Sequence, residues 1–535
     1  MAKKKFKKLE RDLLFIPALS QQELMPKGSL PYVIDRFVDS LDLDRLEGSY
    51  SGDGCHSYPP RALLKVILMA YCENVYGCRP IADKVKYDMR YGYMCGYRQP
   101  SFNTINRFRT HRLGLEGTEE IFGQLVSRLS KERLIDIEDI YVDGTTVESR
   151  ASRKRLVWGA SQRKYAEGNT RKVKELLEQV GAAQREDAQD APDPDAPKGN
   201  GGGPAEGPHL SGEETAALRA LAGTLPKSAK KAELEERLDK ADRYRQADEM
   251  CGGRSGTAAT DPDSVAMRPK EDVTRKGPHL PMYNAMAASS NQFLIHVGLF
   301  GLTNDTAAYP LFLRSLYSAF GDRLKSQTAD AAFGSEVNVL LSEGLGLEPY
   351  FKHTMYDKEH QAGYKPDPFQ PQNFRSNDDG TLTCPSGRTF RKTGESTRTK
   401  HGITQTETHY RCESCRYCRL KRQCLTNNRK QPREVRINHR WWKDTKPRLD
   451  RRLDSEQGQE KLHSRAFNIE PCFAHIKWAG NYKRFRHFGA KLCLMDLNIK
   501  ALAVNLKKYA NKAKRNGFCR VFEVKISLNR RLLAA

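Results

Sequence analysis

The chain has 535 residues, with 90 Lys and Arg against 66 Asp and Glu, a formal net charge of +24 at pH 7. At roughly 100–200 residues per domain this length gives about three domains with ample core, and no apolar run approaches the ~18 residues of a membrane helix, which excludes a helical membrane protein. The 13 cysteines are odd in number and follow no export signal, which argues against a disulfide framework, while the basic field favours a polyanionic partner, nucleic acid being the commonest.

The opening MAKKKFKK reads as a phosphate-binding arm, and the DLLFIPALS that follows is too short for a signal core, so the chain is expected in the cytoplasm. Residues from about 20 to 130 read as helical. Pro59-Pro60 opens a helix in which Leu63, Leu64, Ile67, Leu68 and Tyr71 recur at helical spacing. In SFNTINRFRTHRL, cap candidates precede Ile105, Phe108 and Leu113, set among Arg107, Arg109 and Arg112. Arginines on one face of short helices suit DNA binding of the helix-turn-helix kind. An amphipathic helix with a solvated basic face gives the same pattern.

Residues 134–150, LIDIEDIYVDGTTVESR, concentrate β-branched and aromatic residues and predict a strand ending near Asp143, with a turn or bulge at Gly144. Over 165–255 two charged helical stretches flank a centre rich in Pro, Gly, Asp and Ala, which predicts disorder over 182–212. Strand character returns over 281–302, and TAAYPLFLRSLYSAF predicts a helix. QTADAAFGS predicts a short strand ending at Asp330, a turn at Gly334 and a helix from Ser335. Residues 365–455 read as loop-rich and basic, and from about 460 to 512 the pattern is helical again. This order gives an α/β fold with mixed sheet directions.

Metal-assisted phosphoryl transfer needs acidic oxygens converging on divalent ions, and strand ends give such acids a rigid frame. Asp143 and Asp330 each follow a short strand, although a lone Asp there is usually a turn former. Glu470 lies beside a helical stripe of Ile469, Cys472, Phe473 and Ile476, with Lys477 on its own face. Pro471 requires the helix either to start near Glu470 or to bend there.

Taken together, these segments resemble bacterial insertion-sequence transposases of the DDE class, in the branch with a Tyr-Arg-Glu-Lys motif. YVDGTTVESRASRKRLVW is similar to the family's first catalytic strand, with Asp143 as first acid. TDPDSVAMR and MYNAMAASSNQFLIHVGLFGLTND are similar to its next segment, and ADAAFGSEVN to its second-acid strand, with Asp330. SRAFNIEPCFAHIK resembles the Glu helix, with Arg465, Glu470 and Lys477 at family positions, and YPPRALLKVILMAYCENVYGCRPIADKV resembles the helical DNA-binding region. His463 stands where Tyr is usual, Ala332-Phe333 where Gly-Tyr is usual, and Met286 where Gln is usual.

The resemblance implies a ribonuclease-H-like mixed-sheet catalytic core with two insertions behind an all-helical N-terminal domain. The implied division is 1–130 helical and DNA-binding, 131–164 and 256–364 catalytic core, 165–255 a charged helical and disordered insertion, 365–455 a basic Cys-rich insertion, and 456–535 the Glu-bearing and closing helices. It implies strand cleavage and strand transfer at insertion-sequence ends, Mg2+ or Mn2+ held by Asp143, Asp330 and Glu470, and phosphate contacts from Arg465 and Lys477. Arg107 and Arg109 join these as DNA-binding candidates. The expected partners are transposon ends and target DNA, bound by a homodimer or larger assembly, with no membrane. A catalytically inactive DNA-binding protein and a nuclease without strand transfer are the competing readings.

Cys412, Cys415, Cys418 and Cys424 cluster in RCESCRYCRLKRQC, with Cys384 upstream. Cysteine pairs separated by two residues suit tetrahedral Zn2+, and four of these five thiols would complete a structural site. A set of reduced, partly buried cysteines is the alternative. Trp441-Trp442 nearby suits either base stacking or buried packing.

Overall fold

The computed structural model describes residues 25–51, 56–187, 209–270, 272, 276–425 and 432–516. The basic arm at 1–8 and the centre of the stretch predicted to be disordered, 188–208, lie outside these residues.

The chain forms a mixed α/β structure with a helical N-terminal region. Its main sheet has six strands, here numbered β1 (Asp139–Glu148), β2 (Val265–Met267), β3 (Leu280–Ser290), β4 (Phe293–Phe300), β5 (Ser326–Ala329) and β6 (Glu348–Phe351). β3 lies antiparallel to β1 along one edge and to both β2 and β4 along the other. On its far side β1 pairs parallel with β5, and β5 with β6. β3 is buried along nearly its whole length. Its small Ala285, Ala287 and Ala288 let the helices Asp305–Phe320 and Glu456–Lys477 pack closely against it.

Local chemistry starts these helices. The Asn304 side chain accepts the Ala307 amide at the head of Asp305–Phe320, and Ser335 and Ser455 cap Glu336–Gly344 and Glu456–Lys477 in the same way. The C-terminal helix Ala490–Asn516 packs on β4 and on the N-terminal helices Leu30–Asp39, Pro60–Cys72 and Gly114–Lys131. A single apolar core therefore runs from Val33 and Ile67 through Ile121 and Leu502 to Leu294 in the sheet. No helix among the described residues is long and apolar enough to cross a membrane.

Several elements differ from the sequence expectation. β1 does not end near Asp143 but continues to Glu148. The Glu470 helix begins at Glu456 and runs through Pro471, rather than starting near Glu470. Residues 365–455 are not loop-rich: a five-stranded antiparallel sheet is built on the long hairpin Thr389–Lys400 and Ile403–Cys412. This hairpin is polar on both faces for most of its length and lacks the apolar alternation that marks a half-buried strand. Trp441 and Trp442 are half-buried, packing respectively on the main core and on the small core of this sheet. Three helices, Gly159–Asp187, Gly212–Thr224 and Ala229–Cys251, rather than two, share a separate apolar cluster around Leu234 and Leu238.

Candidate active site

Asp143 and Asp330 are set by strand register. Asp139, Ile140 and Tyr141 of β1 pair with Ser326, Gln327 and Thr328 of β5. Continued past the end of the ladder, the same offset brings Asp143 level with Asp330. Each carboxylate accepts a local backbone amide: Asp143 Oδ1 from Gly144 at 2.7 Å and Asp330 Oδ1 from Ala332 at 2.8 Å.

Glu470 reaches this place on its helix. The predicted stripe is the packed face: Ile469, Cys472 and Ile476 are buried, Phe473 is half-buried and Glu470 is exposed. Lys461, earlier on the same helix, fastens it to the sheet by donating to Asp139 Oδ1 at 2.6 Å and Ser326 Oγ at 2.5 Å. Arg465 then lies between two of the acids. Its Nη1 is 3.3 Å from Asp143 Oδ2 and its Nη2 is 3.5 Å from Glu470 Oε1. One planar guanidinium spans both carboxylates, so their separation is limited to its fork plus these two contacts.

A fourth carboxylate, missed in the sequence, stands behind them. Asp305 is buried at the start of its helix. It accepts Lys270 Nζ on both oxygens, at 2.7 and 2.6 Å, and Asn284 Nδ2 at 2.8 Å. Lys270 also donates to the Gly144 carbonyl at 3.0 Å. This explains Gly144 without a turn. A Cβ at that position would stand 2.5 Å from Asp305 Oδ1 and 3.2 Å from Asn284 Oδ1. Neither Asp305 nor Lys270 had a local signal, since an acid in the first turn of a helix is ordinary and its burial is set by the sheet it packs on.

The crowding of acids appears in their titration. Burial, and then the charge of Asp330, push Asp143 up to about 6 against the pull of the Gly144 amide, Arg465 and Lys270. Asp330 is also raised, first by burial, with Asp305 adding to it and the Ala332 amide and Arg465 opposing. Carboxylates that repel one another in a partly desolvated place, with hard oxygens facing a common region, form a donor set suited to Mg2+ or Mn2+. Among the described residues, however, the one trio of candidate ligand atoms lying within 4.8 Å of one another is His353, Glu359 and Asp450. Lys446 already neutralises that trio, donating to Glu359 and Asp450 at 2.8 and 2.7 Å.

Two DNA-binding candidates are placed otherwise than expected. Arg107 is exposed, but Arg109 is 3% exposed. Its guanidinium donates to Tyr71 Oη at 2.7 Å and the Tyr76 carbonyl at 3.0 Å, close to the buried Asp496. The chain from Phe108 to Leu113 is π-helical, so ordinary helical spacing misassigns the faces there, and Asp496 draws the cation inward. Lys477 is buried too, because the chain folds back over the last helical turn, with the Tyr482 amide on the Ile476 carbonyl at 3.1 Å. Of the family departures, Phe333 is buried between Tyr309 and Phe351, Met286 is buried, and His463 is exposed beside Phe467.

Cys384, Cys412, Cys415, Cys418 and Cys424 all line one small enclosed cavity, together with Phe369 and Phe390. Burial and the neighbouring Cys415 thiol push Cys412 up to about 12. The Arg433 amide reaches Cys415 Sγ at 3.4 Å, and its guanidinium reaches Cys424 Sγ at 2.9 Å.

Two family models match the chain. Residues 383–510 match a Transposase DDE domain, which takes in all five clustered cysteines, Arg465 and Glu470. Residues 19–111 match a Transposase domain (DUF772), which includes Arg107 and Arg109. Asp143 and Asp330 lie outside both spans. No curated protein and no solved structure matches the chain.

Proposed function

Since the chain belongs to the insertion-sequence DDE transposases, we propose that it cuts DNA at insertion-sequence ends and joins the freed 3′ ends to new DNA, using Asp143, Asp330 and Glu470. The observation that carries this reading is the Arg465 guanidinium bridging Asp143 and Glu470, with Asp330 in register beside Asp143. The strand order β4-β3-β1-β5-β6, with an antiparallel half and a parallel half, supports a ribonuclease-H-like core. A divalent ion held by these acids would supply a Lewis acid for the attacking oxygen and for the charge on the leaving oxygen.

The chain's own residues do the rest. Arg465 offers a fork-shaped set of donors that suits a phosphate as well as the carboxylates it contacts here, and it would be free for one if a metal occupied the acids. Lys270 offsets the charge of Asp305 and pins the Gly144 carbonyl, which fixes the backbone beside Asp143. The Lys461 contacts keep the Glu470 helix seated on the sheet. Two DNA ends must be handled together, so the active form is at least a dimer on DNA. In the cysteine cavity, four of the five thiols would hold Zn2+ as a staple for a sheet with only a small apolar core.

Purified protein incubated with labelled end DNA and Mg2+ or Mn2+ tests the reading. Cleavage followed by joining is expected. Cleavage without joining would leave a nuclease, and binding without cleavage an inactive DNA-binding protein.

A further inference from the structure

We infer that the cleft between the N-terminal helices and the segment following the Glu470 helix seats the sugar–phosphate backbone of duplex DNA. The inference rests on the proposed action on DNA and names the surface that holds it. The cleft has a volume of about 1430 Å³, and among the described residues no aspartate or glutamate lines it. Its rim carries Arg79 and His111 from the helical region, Arg150 from the end of the Asp143 strand, and Lys483, Arg486 and Lys491 from the later segment. All six are exposed.

A basic surface is usually laced with acids that spend its charge locally. Here Arg79, Lys483 and Arg486 form no ion pair among the described residues. Arg79 lies over the Phe102 ring at 4.8 Å and Lys483 over Trp478 at 4.4 Å, arrangements that hold each side chain while leaving its charge uncompensated. A smaller cleft of about 700 Å³ is lined by Lys500, Lys507, Lys508 and Lys512, but it is a weaker candidate. Lys500 is engaged with Asn74 Oδ1 and Lys508 with Gln292 Oε1, and burial lowers both to about 8.

The floor of the larger cleft is built for rigidity. Arg109, which lines it, is held from behind by Tyr71, and Tyr71 and Tyr482 in turn both bond Asp496. The basic segment alternates across this floor: Tyr482, Phe485 and His487 are buried, while Lys483, Arg486 and Phe488 face out. It is also fastened to the catalytic strand, with the Glu148 amide on the Lys483 carbonyl at 3.0 Å and the Phe485 amide on the Glu148 carbonyl at 2.8 Å. Glu148 lies along β1 from Asp143 by roughly 17 Å of strand at ~3.3 Å per residue. That is about five base pairs of duplex. A duplex lying in the cleft can therefore extend to the acids.

The test is equilibrium binding of the full chain to a labelled random-sequence duplex over a salt series. The wild type is compared with an Arg79→Gln, Lys483→Gln, Arg486→Gln triple variant and with a control triple, Lys227→Gln, Lys230→Gln, Arg243→Gln, on the distant helical cluster. Circular dichroism and thermal melting check the fold, and Lys483→Gln alone serves if the triple variant unfolds. Losing three phosphate contacts should make the slope of log K against log salt shallower by about 2–3, and losing one by about 0.9, with binding at least about tenfold weaker for the triple. End-sequence and random duplexes should lose equally. If the wild type binds and the folded cleft variants keep its slope and affinity, or the control triple loses as much, the cleft assignment is overturned while the transposase reading stands. A wild-type chain that binds no duplex would overturn both.

Discussion

Gly144→Ala isolates the contact between the two halves of the acidic site. The new methyl carbon would stand 2.5 Å from Asp305 Oδ1 and 3.0 Å from its Cγ, where ordinary contact begins at 3.4 Å. Asp305 must retreat by roughly 1 Å, and overpacking of that size costs about 1–3 kcal/mol. Retreat also stretches the bonds from Lys270 and Asn284. Hydrogen bonds to charged groups contribute about 1.5–3 kcal/mol each, but Lys270 is 34% exposed, and solvent screening reduces its share. A total destabilisation of about 2–4 kcal/mol follows. Asp305→Ala removes the obstacle, so the double variant should cost less than the two single changes combined, by about 1–2 kcal/mol. Urea unfolding of the four proteins at equal m value measures this cycle. Additivity within about 0.5 kcal/mol would show that the two residues do not meet, and the account of Gly144 would fail with it.

Asp330→Asn keeps shape and removes an anionic oxygen, so it should nearly abolish cleavage while leaving duplex binding intact; wild-type cleavage by this variant would refute the site. Because Asp143 is raised from 3.8 to about 6, the folded chain without divalent metal binds that proton more tightly than the unfolded chain, and stability falls as pH rises between these values. Asp143→Asn should flatten that part of the urea-midpoint profile, and an unchanged profile would show that the proton resides elsewhere. Protein purified without chelator should contain about one zinc per chain by elemental analysis, and chelation should loosen the 365–455 sheet; metal-free protein with an unchanged fold would remove the zinc reading.

How much was legible depended on where each residue keeps its neighbours. The strand positions of Asp143 and Asp330 could be read because Asp143 stands in a β-branched and aromatic run and Asp330 directly follows a short run of small residues, and the Glu470 helix because its buried stripe is local. The long hairpin Thr389–Lys400 and Ile403–Cys412 could not, since its stability comes from cross-strand backbone pairing rather than from a buried face. Arg109 was misassigned because a π-turn and a carboxylate almost 400 residues away decide its direction. Lys270 and Asp305 escaped for the same reason: their meaning lies in a contact made across the sheet with Gly144 and Asn284, and neither has a periodic pattern of its own.

The distribution of charge connects these parts. A chain with a net charge of +24 concentrates four carboxylates, Asp143, Asp330, Asp305 and Glu470, around two cations, Arg465 and Lys270. Lys270 bonds both oxygens of Asp305 and so compensates that acid. Arg465 is shared between Asp143 and Glu470 at longer distances, 3.3 and 3.5 Å, and compensates neither fully. Asp330, which has no cation in direct contact among the described residues, raises Asp143 instead. Uncompensated negative charge therefore falls on Asp143, Asp330 and Glu470, where a divalent ion would relieve it. On the proposed reading, the surrounding lysines and arginines would hold the polyanion that such an ion would act on. Neutralising Asp305 would leave Lys270 without its counter-charge near Asp143, so Asp305→Asn should lower the proton affinity of Asp143 and flatten the acidic part of the urea-midpoint profile; an unchanged profile would refute this division of charge.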